Sequence, residues 1–253
     1  RPHVSHLLNE LTLSLKEKEL LPAICFVFSR RLVEQYAQMI QHSLSVDYLQ
    51  TNVEKKIEQE SIHLLREKVS NYKEYTELKE YRMLMSLLSK GIAIHHSGIL
   101  PIFRELVEML FMRGYVQLLF ATETFSVGIN MPTKTVIFTS LQKFDGNKFR
   151  YLYPHEYTQM AGRAGRRGLD TFGTVIHMNN LFEPPYVHEY KEILCGIPQT
   201  LSSKFHLHWN TVLSFFKEEN EKEKEEESVN DGIEDLKAFI NQSMLERETN
   251  NQL

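Results

Sequence analysis

The sequence predicts an α/β domain in three layers, with a mostly parallel sheet between layers of helices. Two observations carry this. Five short apolar runs, four to six residues each, lack the every-second-residue polarity of a strand with one wet face. Between most of them lie stretches with apolar residues at helical spacing, the alternation that parallel strands with crossover helices require.

Val4, Leu7, Leu8, Leu11 and Leu15 repeat at helical spacing and predict an opening amphipathic helix. Residues 23–28 (Ala-Ile-Cys-Phe-Val-Phe) predict a strand buried on both faces, and Leu32, Val33, Tyr36, Ala37 and Ile40 the helix after it. Residues 51–90, rich in Lys and Glu, predict two helices, and Gly91-Ile92-Ala93-Ile94 the next strand. Phe103, Leu106, Val107, Leu110 and Phe111 mark a helix that Pro101 opens and Gly114 ends. Strands follow at 116–120, 135–138 and 173–176. Between the last two, Asp145-Gly146 lies between arms carrying Lys and Phe, which predicts a hairpin over 142–150. Beyond Gly196 the pattern changes. An apolar cluster from Phe205 to Phe216, an acidic run at 218–227 and a helical face of Ile233, Leu236, Ile240 and Met244 predict a second unit. The domains are therefore placed at 1–200 and 201–253, with 218–227 an exposed insertion.

With 253 residues, 42% hydrophobic and 25% charged, the composition is that of a globular protein with a full core. Cys25 and Cys195 lack metal-ligand spacing and sit in apolar contexts, so both are expected to be buried, reduced thiols of an intracellular protein. No apolar run approaches the roughly 20 residues that span a bilayer, so no membrane partner is expected. The first residue is Arg1 rather than Met, as expected of a piece of a longer chain. Net charge is −4, but seven Glu against two Lys in 218–227 account for −5, leaving the rest of the chain at about +1. That value does not exclude nucleic acid, because a groove grips a backbone locally.

The chemistry lies in two runs. Residues 159–168 (Gln-Met-Ala-Gly-Arg-Ala-Gly-Arg-Arg-Gly) set arginines three apart among small residues. Arginine keeps its charge and presents a planar fork of donors, so two forks a turn apart, with glycines allowing close approach, can clamp a triphosphate. The other run, 120–132, begins at the end of a strand. There the Thr122 hydroxyl can bond a nucleic-acid phosphate or cap a local turn. His95-His96-Ser97-Gly98 follows a strand and precedes the helix opened by Pro101, whose amides suit a phosphate. No third ligand is spaced for zinc, so Ser97 and Gly98 are the candidates there and no metal site is assigned. The hairpin reads either as plain surface or as a nucleic-acid contact through Lys143, Lys148 and Arg150, with Phe144 or Phe149 stacking on a base. No glycine-rich Lys-Ser/Thr loop or Asp-Glu box for magnesium occurs in the chain.

These runs resemble motifs V and VI of superfamily 2 helicases, in the form seen in the superkiller and exosome-associated DExH RNA helicases. Arg167, where related repair and spliceosomal helicases usually carry proline, and Lys143-Phe144-Asp145-Gly146 favour that group. The resemblance spans roughly residues 20–245 and implies a RecA-like fold for the first unit and the start of an α-helical winged-helix module for the second. It implies that Arg163 and Arg166 act as fingers on the γ-phosphate of ATP, worth about 10³–10⁵ in rate, with Gln159 positioning the nucleotide or water. Gly128 and Asn130 would face the nucleotide. Ser29 and Arg30, in a motif IV-like Phe28-Ser29-Arg30, would join Ser97, Gly98 and Thr122 on the RNA strand. The cradle for ATP and Mg²⁺ would belong to a first RecA-like domain upstream, so this piece alone is expected to be inactive. The expected whole is an ATP-dependent, 3′-to-5′ RNA helicase of RNA decay, partnered by an exosome or superkiller-type complex. Residues 95–100 and 161–170 look nearer the cytoplasmic superkiller branch than the nuclear one. The alternatives are a DNA helicase of the same lineage and a non-catalytic RNA-binding scaffold.

Overall fold

The computed structural model describes residues 3–44, 50–126, 131, 133–196 and 237. The chain divides into two compact units, 1–198 and 199–253. The anticipated winged-helix portion 201–253, with its acidic run, lies outside the described residues apart from Lys237, as do Gly128 and Asn130.

The first unit runs α1 (Val4–Glu17), β1 (Ala23–Phe26), α2 (Arg30–Met39), α3 (Gln50–Lys68), α4 (Tyr72–Glu77), α5 (Lys79–Leu88), β2 (Ile92–His95) and α6 (Pro101–Met112). It continues with β3 (Leu118–Ala121), a 3-10 turn (Glu123–Ser126), β4 (Thr135–Phe138), β5 (Gln142–Phe144), β6 (Phe149–Tyr151), α7 (Pro154–Ala161), β7 (Thr174–His177) and α8 (Val187–Cys195). Five strands form one sheet in the order β2-β3-β1-β4-β7, every pair parallel. All residues of β1, β2, β3 and β4 are buried, which is why, buried His95 and Thr135 apart, they read as apolar runs. The fold is the RecA-like α/β domain that the sequence predicts.

The helices follow their apolar stripes. Phe103, Leu106, Val107, Leu110 and Phe111 are the buried face of α6, whose first position is Pro101. Gly114, just past its end, takes φ +81, a left-handed conformation that glycine adopts without penalty. Buried Asn9 on α1 ties the end of α2 in place. Its Nδ2 donates to the Met39 carbonyl at 3.0 Å and its Oδ1 accepts from the Gln41 N–H at 2.9 Å.

Three expectations change. Residues 51–90 hold three helices rather than two, because the chain breaks at Asn71 and again at Leu78. The last strand, β7, is an edge strand with only half-buried positions and an exposed Val175, so the sheet is not covered on both faces there. Cys25 is buried in β1 and burial pushes its thiol upward, but Cys195 is exposed. It ends α8, where Ile193 is the residue that turns inward. Among the described residues no helix is long and apolar enough to cross a membrane.

Candidate functional site

A parallel sheet has two unlike edges, and the candidate residues divide between them. Ser29 and Arg30 follow β1, Ser97 and Gly98 follow β2, and Thr122 follows β3. These strands are neighbours in the order β2-β3-β1, about 4.8 Å apart, so their carboxyl ends form one row. Backbone bonds lock the row: Thr122 N–H donates to the His95 carbonyl at 3.2 Å and Val27 N–H to Ala121 at 2.9 Å.

Two buried histidines shape this edge from below. His95 Nε2 pairs with Glu108 at 2.7 Å, and His96 Nε2 with Glu34 at 3.1 Å. Burial lowers both histidines and leaves the imidazoles neutral at pH 7. His96 Nδ1 then accepts the Gly98 N–H at 3.1 Å, fixing the Ser97-Gly98 turn beside Arg30. A β-carbon at Gly98 would lie 3.0 Å from that ring nitrogen. Ser97, Gly98 and Arg30 are exposed. Ser29 caps α2, its Oγ accepting from Leu32 N–H at 3.4 Å. The Thr122 hydroxyl is buried and bonds that of Thr124 at 2.9 Å, the local turn role that its position also allows. Among the described residues no group of three or more His, Cys, Asp or Glu could hold a metal.

The arginine motif sits at the opposite, amino edge. Gln159 is exposed on α7, and Arg163 and Arg166 lie in the loop between α7 and β7. Thr133, just before β4, pins that loop: its N–H donates to the Arg163 carbonyl at 2.9 Å, and its carbonyl accepts from Gly165 N–H at 2.6 Å. Gly165 has φ +91 and packs on Gly173, where a β-carbon would come within 2.4 Å of the Ala164 backbone. The loop thus lies flat on the start of the sheet because both crossing residues are glycines.

Asp170 orders the Arg166 fork. Its Oδ2 accepts from Nε at 2.8 Å and its Oδ1 from Nη2 at 2.9 Å, while Oδ2 also takes the Arg166 backbone N–H at 3.0 Å. The Arg166 side chain and these bonds hold the Asp170 carboxyl at about 2, so it stays ionised. One edge of the guanidinium, Nε with Nη2, is thereby held in a fixed plane by Asp170.

The hairpin β5–β6 forms as expected, antiparallel and with Asp145 accepting the Asn147 and Lys148 N–H groups, both at 2.9 Å. Its two arms carry Phe144 and Phe149, 52% and 72% exposed, with ring centroids 5.5 Å apart. Its cations divide. Lys148 is exposed, but Arg150 grips Glu156 with both Nη atoms at 2.8 Å, and Lys143 reaches the same carboxylate at 3.0 Å. Burial alone would raise Glu156; Arg150, the Tyr153 N–H and Lys143 outweigh it and hold the group at about 2. That folded value lies below the ordinary 4.5, so the ion pairs contribute stability present in full above 4.5 and lost as pH falls through about 2. The stability advantage over Glu156→Gln is expected to be constant from pH 6 to 8 and to shrink steadily in acid, as measured by urea unfolding at each pH.

Glu156, Asp170, Glu34 and Glu108 were not among the residues singled out from sequence. Glu156 occupies the third position of a helix opened by Pro154, where a carboxylate caps the helix, and Asp170 stands four residues after Arg166. Those two spacings are signals; nothing local marks Glu34 or Glu108.

Residues 68–168 match the helicase conserved C-terminal domain. The chain is 44% identical over 210 residues to the antiviral helicase SKI2 of Saccharomyces cerevisiae, covering 82% of this chain and 16% of that protein. The chain belongs to the superkiller and exosome-associated DExH helicases of superfamily 2. This helicase domain is also 43% identical over 199 residues to the ATP-dependent RNA helicase mtr4 of Schizosaccharomyces pombe, covering 78% of the chain and 17% of the relative. To the exosome RNA helicase MTR4 of Homo sapiens it is 42% identical over 203 residues, covering 80% and 19%. The domain therefore spans less than a fifth of each of these relatives, and it matches both branches almost equally.

Proposed function

We propose that this chain is the second motor domain of an ATP-dependent RNA helicase that moves 3′ to 5′. The observation that carries the reading is the division of the sheet. An ordered arginine fork occupies the amino edge, and a row of loop residues suited to a nucleic-acid backbone occupies the carboxyl edge. Arg163 and Arg166 stabilise charge on the γ-phosphate of ATP as the bond to the leaving phosphate breaks, and Gln159 orients the nucleotide or the water. Asp170 keeps the Arg166 fork preorganised. Gly128 and Asn130 complete the nucleotide side. Ser29, Arg30, Ser97, Gly98 and Thr122 hold the RNA strand; Lys148, Phe144 and Phe149 meet it at the hairpin, which Lys143 and Arg150 shape from within.

The phosphate cradle and Mg²⁺ belong to an upstream RecA-like domain of the same protein, because neither a glycine-rich lysine loop nor an acidic box occurs here. Residues 201–253 begin a winged-helix module, a boundary supported by the division of the chain at Pro198. RNA as substrate and an exosome or superkiller-type complex as partner are supported by the names of the relatives, the superkiller complex protein 2 of Homo sapiens among them. Residues 95–100 and 161–170 favour the cytoplasmic superkiller branch. The test is strand separation by the full-length protein on 3′-tailed RNA and DNA duplexes of equal stability. Faster ATP-dependent opening of the RNA duplex is expected, and opening confined to DNA assigns the enzyme to the repair lineage instead.

A further inference from the structure

The hairpin cations have an unexpected partner. Glu156 touches neither the nucleotide nor the strand in the reading above, yet three separate elements meet on it. Arg150 of β6 forms a bidentate pair with it, Lys143 of β5 lies 3.0 Å away, and the Tyr153 N–H at the head of α7 donates to it at 2.9 Å. Lys143 also reaches Glu123, in the turn directly after Thr122, at 3.5 Å. The Arg150 guanidinium lies over the Tyr153 ring, 3.8 Å from its centroid. The side chains of Lys143, Arg150 and Glu156 are only 16–17% exposed, so water and salt screen these pairs less than surface pairs.

Glu156 stands in the first turn of α7. Gln159 lies three residues on, and the helix ends at Ala161, two residues before Arg163. The helix is eight residues, little more than two turns, in one continuous backbone ladder. We infer that Glu156 is a positioning residue that couples the hairpin to the arginine-bearing helix and to the turn after β3. Movement of α7 as the arginines engage and release a nucleotide is carried through Glu156 and its two cations to the hairpin. Without that carboxylate the hairpin keeps its own ladder and its Asp145 turn, but loses its grip on α7. The inference rests on the ATP-driven strand separation proposed above.

The experiment uses the full-length protein with Glu156→Gln, which keeps the shape and an acceptor for Tyr153 N–H, and with Glu156→Ala. Three quantities are measured: Tm, ATP hydrolysis without RNA, and base pairs opened per ATP hydrolysed. The expected result is hydrolysis without RNA close to that of the parent, and about a tenfold fall in base pairs opened per ATP. Glu156→Asp, which retains the charge, recovers part of the loss. Unchanged yield per ATP in both Gln and Ala variants overturns the coupling. So does a proportional fall of hydrolysis and opening in folded protein, the mark of a merely structural residue. If the unmutated parent opens no duplex, the proposed function fails and the coupling with it; if the parent opens duplexes and the variants match it, only the coupling fails.

Discussion

Arg166→Ala in the full-length protein is expected to lower RNA-stimulated ATP hydrolysis by about 10³-fold or more, with RNA affinity kept. The size of the effect follows from where the fork is and how it is held. An arginine finger acts on charge that grows only in the transition state, so its removal falls on kcat rather than on binding. The Arg166 guanidinium is already oriented by two bonds to Asp170 and by a loop pinned on Thr133, so little reorganisation is left to the moment of reaction. RNA affinity is kept because the proposed strand contacts follow β1, β2 and β3 at the other edge of the sheet. Single-turnover hydrolysis and RNA binding, measured on the same preparation, check both halves. Turnover that survives the substitution removes the finger role from Arg166.

Gly173→Ala is expected to have the next largest effect, although residue 173 touches no ligand in this account. Its β-carbon would come within 2.4 Å of the carbonyl carbon and oxygen of Ala164 and 2.7 Å of the Gly165 nitrogen. All three are backbone atoms, so no side chain can swing aside. The loop must lift off the sheet, breaking the short bond from Gly165 N–H to the Thr133 carbonyl and carrying Arg163 and Arg166 with it. Overpacking of this kind costs about 1–3 kcal/mol. A Tm lowered by several degrees is expected, together with a loss of ATP hydrolysis well below the melting range that the small unfolded fraction does not explain. A normal Tm with normal hydrolysis would show that the loop tolerates the displacement.

Much of the fold was legible because burial on both faces leaves a plain mark. The apolar runs containing Ile24, Ile94, Leu119 and Val136 each form a fully buried strand, while β7 is a strand as expected but only half buried, not covered on both faces. The break between α4 and α5 escaped notice since Leu78 carries neither glycine nor proline to announce it. Cys195 misled because apolar neighbours in sequence do not say which side of a helix turns inward. The arginine motif was visible as a pattern, and the division of candidate groups between two sheet edges follows from strand order, which sequence reading did not supply. Charge pairing was least legible. Lys143 and Arg150 look like free cations along the chain, and only the fold brings Glu156 beneath them. His95 and His96 suggest a metal pair until Glu108 and Glu34, 13 and 62 residues away, prove to be their partners.

The most direct test of the account is ATP hydrolysis by the complete, unmutated protein, measured with and without single-stranded RNA. Hydrolysis that RNA accelerates strongly is expected, since the arginine fork and the proposed strand-binding edge would belong to one motor. Hydrolysis absent in both conditions contradicts it, and describes instead an RNA-binding scaffold in which Arg163 and Arg166 have no triphosphate to meet.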